Sequence, residues 1–158
     1  MKYLFILAVA FFMLLSSCSK TEEEDTSIKI PENGDYIVFG NTYGACTGDC
    51  RTLFLLTKEN LYEDSNNSAL EEVTFNSEPL SDDKRQIADT LFVLPQSLMT
   101  NSFSEEALIR NIPDFDYYIR GNVDAVEFML RFNAIDSTID AELYQYSLLL
   151  QKVIDDVR

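Results

Sequence analysis

The chain has 158 residues, with 12 Lys plus Arg against 27 Asp plus Glu, a formal net charge of −15, no His and no Trp. A field this negative repels polyanions, so a nucleic-acid partner is not expected; a cationic partner or plain solubility suits it better. Without imidazole there is no Ser-His-Asp or Cys-His catalysis, and His-containing catalytic zinc sites are excluded as well. Carboxylate, Tyr, Lys and thiol chemistry stay open.

Lys2 precedes an apolar run from Tyr3 to Leu15 that ends in Leu15-Ser16-Ser17-Cys18. Spanning a hydrocarbon core takes roughly 20 apolar residues, so this run is too short for an anchor and reads as a signal peptide over residues 1–17. The cut site resembles the bacterial lipobox, which implies a diacylglyceryl thioether on Cys18, with palmitate-type acyl chains on the mature first residue. Two or more chains give stable attachment, because each buried methylene contributes about 0.8 kcal/mol. The expected membrane partner is therefore engaged through lipid alone. Loss of Lys2 with the signal leaves 11 basic against 27 acidic residues.

Ser19 to Ser27 is polar and mostly acidic, and residues 18–30 read as the lipidated Cys and a tether. Lys20 followed by Glu22, Glu23, Glu24 and Asp25 resembles the export signal of surface lipoproteins of Bacteroidota. That resemblance implies the outer membrane, on its periplasmic face or at the cell surface. Residues 31–158 are expected to form one globular domain, a length that fits one core.

Asp35 to Gly40, Arg51 to Thr57 and Leu61 to Glu63 carry the β-branched and aromatic residues of strands and should form an antiparallel meander. A further short strand is expected around Glu72 to Phe75, after a polar turn over Asp64 to Ser68. From Ser81 the period changes. Asp82 and Asp83 suit a helix start, Ile87, Ala88, Leu91 and Phe92 share one face, and Pro95 limits the run. A second short helix is expected from Ser104, with Glu105 and Glu106 in its first turn.

Tyr117 to Arg120 and Ala125 to Asn133 read as a hairpin around a Gly121-Asn122 turn, with Val126, Phe128, Leu130 and Phe132 inward and Glu127, Met129 and Arg131 in water. Leu143, Tyr146, Leu150, Val153 and Val157 recur at helical spacing, so a closing amphipathic helix is expected from Asp140. The sum is an α+β fold: a small antiparallel sheet, meander plus hairpin, with two to three helices packed on one face.

Cys46 and Cys50 form a C-x3-C pair, which in an exported chain reads as a disulfide fixing the Gly44 to Gly48 turn. The alternative is a thiol-redox site, which the neighbouring Asp49 disfavours because a carboxylate raises a thiol pKa. Phe39-Gly40, Tyr43-Gly44, Cys46, Gly48, Cys50 and Leu61-Tyr62-Glu63-Asp64 together resemble a small lipoprotein family of Bacteroidota, over about Asp35 to Arg158. The resemblance implies the fold and the anchor, and no reaction. The chain departs from it where the family reads Pro-Asp-Cys, because Pro113-Asp114 is followed by Phe115.

Asp114 and Asp116 could present paired carboxylates near the hairpin, and Tyr43, Asp49, Tyr117 and Tyr118 complete the candidate contact residues. Asp136-Ser137-Thr138 resembles the short O-glycosylation motif of Bacteroidota. No metal site and no cofactor is expected. The function read from the sequence is a lipid-anchored, non-enzymatic module that binds a protein, peptide or glycan at the outer envelope. A thiol-redox or carboxylate enzyme and a structural envelope component are the alternatives.

Overall fold

The computed structural model describes residues 27–44, 50–66, 72–110 and 115–158. Cys18, Cys46, Asp49 and Asp114 lie outside them, as do the lipobox and the acidic stretch of the tether through Thr26. No helix among the described residues is long and apolar enough to cross a membrane.

Strands β1 (Tyr36–Thr42), β2 (Arg51–Thr57) and β3 (Leu61–Glu63) form the expected meander. Strands β5 (Asp116–Val123) and β6 (Val126–Phe132) form the hairpin. The two join through β1 and β5, which pair antiparallel with Tyr36 opposite Asn122 and Thr42 opposite Asp116. The result is one five-stranded sheet in the order β3-β2-β1-β5-β6, entirely antiparallel. Short strands β4 (Leu108–Ile109) and β7 (Ala134–Ile135) pair separately.

The helices are α1 (Asp82–Ala88), continued by a 3-10 turn over Asp89–Phe92, then α2 (Gln96–Met99) and α3 (Ala141–Val157), with a further 3-10 turn at Glu105–Ala107. Asp140 caps α3 by accepting from the Leu143 amide at 2.8 Å, which satisfies one of the donors left open at a helix start. All five periodic residues of α3 are buried. They pack with Ala88, Leu91 and Leu98 on Ile37, Phe39, Phe54, Leu56, Ile119, Leu130 and Phe132 of the sheet. Each such side chain contributes about 1.5–3 kcal/mol on full burial. Lys84 of α1 donates to the Val157 carbonyl at 2.6 Å, tying the end of α3 to its neighbour.

Three expectations change. The hairpin turn lies at Asp124-Ala125, and Gly121-Asn122 continues β5. Gly121 serves packing: a Cβ there would stand 2.6 Å from the Tyr36 carbonyl oxygen and 3.0 Å from the Phe128 ring. Glu72 to Phe75 forms no strand of its own; Phe75 makes isolated bridges to Ile28 and Asp64. Asp64, read as part of an exposed turn, is 5% exposed and pairs with Arg51.

The second face of the sheet also carries a core. Tyr36, Val38, Leu53, Leu55 and Phe75 are buried there, with Ile28, Ile30, Tyr62, Val73 and Tyr118 packed around them. The fold thus takes in Ile28 and Ile30, ahead of residue 31. These two short segments cover β1, β2 and β3 on that side, whereas the outer part of the hairpin faces water.

Candidate functional site

Strand alternation sorts the candidate residues. Partners in register share a face, so Thr42, Asp116, Tyr118, Arg120, Met129 and Arg131 lie on the side away from the helices. Tyr117 points the other way, into a chain of rings: Tyr43 to Phe115 at 5.6 Å, Phe115 to Tyr117 at 4.9 Å and Tyr117 to Phe132 at 5.8 Å. Burial raises the Tyr117 phenol pKa, with Asp155 and Tyr43 adding to the shift. Tyr117 is therefore a packing residue at the sheet's end, and Tyr118 is the one of the pair that lines the cleft described next.

On the side away from the helices, Thr42, Tyr43, Arg51, Tyr118, Arg120 and Arg131 surround a cleft of about 190 Å³, with Ile30, Val38, Leu53 and Val73 as its apolar wall. Gly40 lies between Leu53 and Tyr118 in the register, so no side chain from β1 fills that position. Its φ of +149° and a Thr52 carbonyl oxygen 2.0 Å from any added Cβ require glycine. Ligand pockets typically run about 300–1,000 Å³, so this cleft suits one charged group or one side chain. Three larger concavities exist among the described residues, one of them, of about 690 Å³, around Met99 to Asn101, Asn122 and Ala125 to Glu127. Another of about 790 Å³, around Ser65, Thr74 and Asn76 to Ser81, is polar and open; one of about 650 Å³, between Val93 to Gln96 and the start of α3, is mostly apolar. None of the three is lined by a cationic side chain.

The electrostatics of the cleft invert those of the chain. Arg51 donates through Nε to Asp64 Oδ2 at 2.7 Å and through Nη2 to the Asn66 carbonyl at 2.7 Å, with both charged side chains nearly inaccessible. Arg110 and Arg131 share a single carboxylate, Asp116, at 3.0 and 3.2 Å. Arg131 also donates to Thr42 Oγ1 at 3.0 Å. The Arg120 pKa is raised, first by the neighbouring Tyr36 phenol and further by that of Tyr118. Arg120 has no carboxylate partner among the described residues. Among the described residues, the three arginines that line the cleft, and Arg110, which shares Asp116 with one of them, form ion pairs with two carboxylates, Asp64 and Asp116, in a chain whose net charge is −15.

The remaining candidates divide as follows. Asp116 is held by Arg110, Arg131 and the Asn133 amide at 3.1 Å, so it organises cations instead of offering a reactive carboxylate. Cys50 is buried and disulfide-bonded. Its backbone carbonyl accepts from the Tyr43 amide at 2.8 Å, which fixes the mouth of the cleft beside β1. No group of three or more Cys, Asp or Glu side chains among the described residues is placed to hold a metal ion. Asp136 turns inward on its own motif, accepting from the Thr138 amide and hydroxyl at 2.8 and 2.7 Å.

Sequence reasoning missed Arg120 and Arg131 as site residues. The available signal was two arginines on the wet face of one hairpin in a chain poor in cations. The misplaced turn hid it, because a turn at Gly121-Asn122 takes Arg120 out of register with Met129. Compared with protein-family models, curated proteins and solved structures, the chain matches none.

Proposed function

We propose that this chain is a lipid-anchored, non-enzymatic binding module of the outer envelope that takes an anionic group, carried on a protein, peptide or glycan, into the cleft bounded by Tyr118, Arg120 and Arg131. The observation that carries the reading is Arg120: a guanidinium that lines the cleft beside Arg131, on the open face of the sheet, with no carboxylate partner among the described residues. Guanidinium pairs well with carboxylate, phosphate and sulfate, and hydrogen bonds to charged groups contribute about 1.5–3 kcal/mol. The net negative charge does not prevent this. At physiological salt the Debye length is about 8 Å, so a ligand at contact responds mainly to the arginines around it.

The anchor rests on Lys2 to Cys18 and the disulfide on the Cys46–Cys50 spacing together with the bonded state of Cys50. Acyl chains on Cys18 leave the protein surface free for the ligand. A disulfide at Cys50 supports a structural over a redox role for that segment.

The test is fluorescence anisotropy with a labelled tetraglutamate peptide and, as control, tetralysine. Tetraglutamate is expected to bind the wild-type chain, with Arg120→Gln weakening it about tenfold or more, the equivalent of one charge-assisted hydrogen bond. Preference for tetralysine would overturn the reading of the cleft. Intact mass of protein from its native membrane tests the anchor separately: acylated Cys18 is expected, and an unprocessed amino terminus would contradict it.

A further inference from the structure

We propose that β6 pairs edge to edge with β6 of a second copy of this chain, antiparallel about Met129. The argument begins at the hairpin turn. Asp124 and Ala125 have φ of 51° and 63°, the left-handed pair of a two-residue type I′ connection. Such a turn makes Val123 and Val126 the closing hydrogen-bonded pair, and hydrogen-bonded pairs alternate along an antiparallel ladder. Val126, Phe128, Leu130 and Phe132 therefore bond to β5, and the peptide groups of Glu127, Met129 and Arg131 point outward. The next residue of the outward series, Asn133, donates from its amide to the Ile109 carbonyl at 2.8 Å, as this parity requires. Among the described residues nothing bonds to the backbone of the three before it.

Edge strands of this kind are normally blunted by charge, and an edge bearing one sign of charge repels its own copy. Here the charges are self-complementary. About a twofold axis at Met129, Glu127 of each copy stands opposite Arg131 of the other, and Met129 meets Met129. These are also the residues whose peptide groups point outward, so side-chain and backbone pairing agree in one register. Sliding by two residues sets Glu127 or Arg131 against Met129 and loses both charge pairs. Glu127 has no cation partner among the described residues, and Arg131 shares Asp116 with Arg110. Met129 is 65% exposed at the centre of the patch. The pairing continues the sheet across two copies and leaves the helices on its far face undisturbed.

The test uses the full chain in mild detergent. A hydrogen-bonded antiparallel pair holds its Cα atoms about 5.5 Å apart, inside the roughly 4.4–6.8 Å range of a disulfide. Met129→Cys is expected to form a covalent dimer on mild oxidation, mapped to residue 129 by mass spectrometry. Val93→Cys, at a site 77% exposed and remote from β6, is the control. E127R and R131E are each expected to lower the dimer fraction in sedimentation at least tenfold, and an equimolar mixture of the two to restore it, because their charge pairs are then complementary. Cross-linking of Met129→Cys no better than the control, or E127R dimerising like the wild type, would overturn the proposal.

Discussion

Replacing Asp64 by Asn leaves the Arg51 guanidinium buried beside a neutral amide. Asp64 Oδ2 accepts from Arg51 Nε at 2.7 Å, and Oδ1 accepts from the Asn66 amide at 3.0 Å. The two side chains are 7% and 0% exposed, so water cannot take over the lost charge. Breaking one side of a buried pair costs about 3–5 kcal/mol, a fifth or more of the roughly 5–15 kcal/mol that holds a domain folded. With an unfolding entropy of about 2.1 cal/mol/K per residue over roughly 130 residues, the melting temperature should fall by about 11–18 °C. Urea denaturation followed by circular dichroism measures this, with the slope unchanged if the native state stays compact. The paired replacement Arg51→Met with Asp64→Leu removes both charges. It should recover part of the loss, because no charge is then left unpaired and the Asn66 and Glu72 carbonyls that accept from Arg51 are only part-buried. A cost below about 1 kcal/mol for Asp64→Asn would mean that the pair behaves as a surface bridge, and would refute the reasoning.

Gly40→Ala forces a side chain into an extended left-handed backbone and against the Thr52 carbonyl; the conformation alone costs about 1–3 kcal/mol, read as a lower urea midpoint. Ala125→Gly should act in the opposite sense, raising stability by about 0.5–1 kcal/mol, because it relieves a left-handed alanine and creates the Asp-Gly pair that type I′ turns favour. The Asp35 carboxyl is held below its ordinary value of 3.8, first by the hydrogen bond from Lys58 and then by the Asp124 amide. A depressed folded pKa means that this tie on the hairpin turn is complete above the unfolded value and is lost as pH falls through the folded one. The Asp124 amide resonance should therefore titrate with a midpoint below 3.8, and a midpoint above it would show that the contact is absent.

Local pattern made most of this fold legible. The α3 residues announce themselves by spacing, and Asp140 caps where capping chemistry places it. In β6 the alternation of apolar and polar residues gives the buried and open faces correctly. What the sequence hides is non-local or depends on packing. Nothing in Tyr36 to Thr42 says that β5 lies beside it, which is the contact that builds the cleft. Gly121-Asn122 looks like a turn because glycine usually marks one; here the missing Cβ makes room for the Phe128 ring, and Asp124-Ala125 turns the chain without glycine. Ile28, Ile30 and Phe75 sit in stretches too short for any period, yet they seal the second core. Net charge was a guide to the whole surface and a poor one to the cleft, where Arg51, Arg120 and Arg131 converge.

The most direct test of the cleft is a nuclear magnetic resonance titration of the 15N-labelled protein with tetraglutamate, following the arginine Nε–Hε signals. The account predicts that Arg120 and Arg131 shift together and saturably, that Arg51 moves little because Asp64 already holds it, and that Arg120→Gln abolishes the Arg131 response. Saturable shifts confined to residues elsewhere, or none at all, would contradict it.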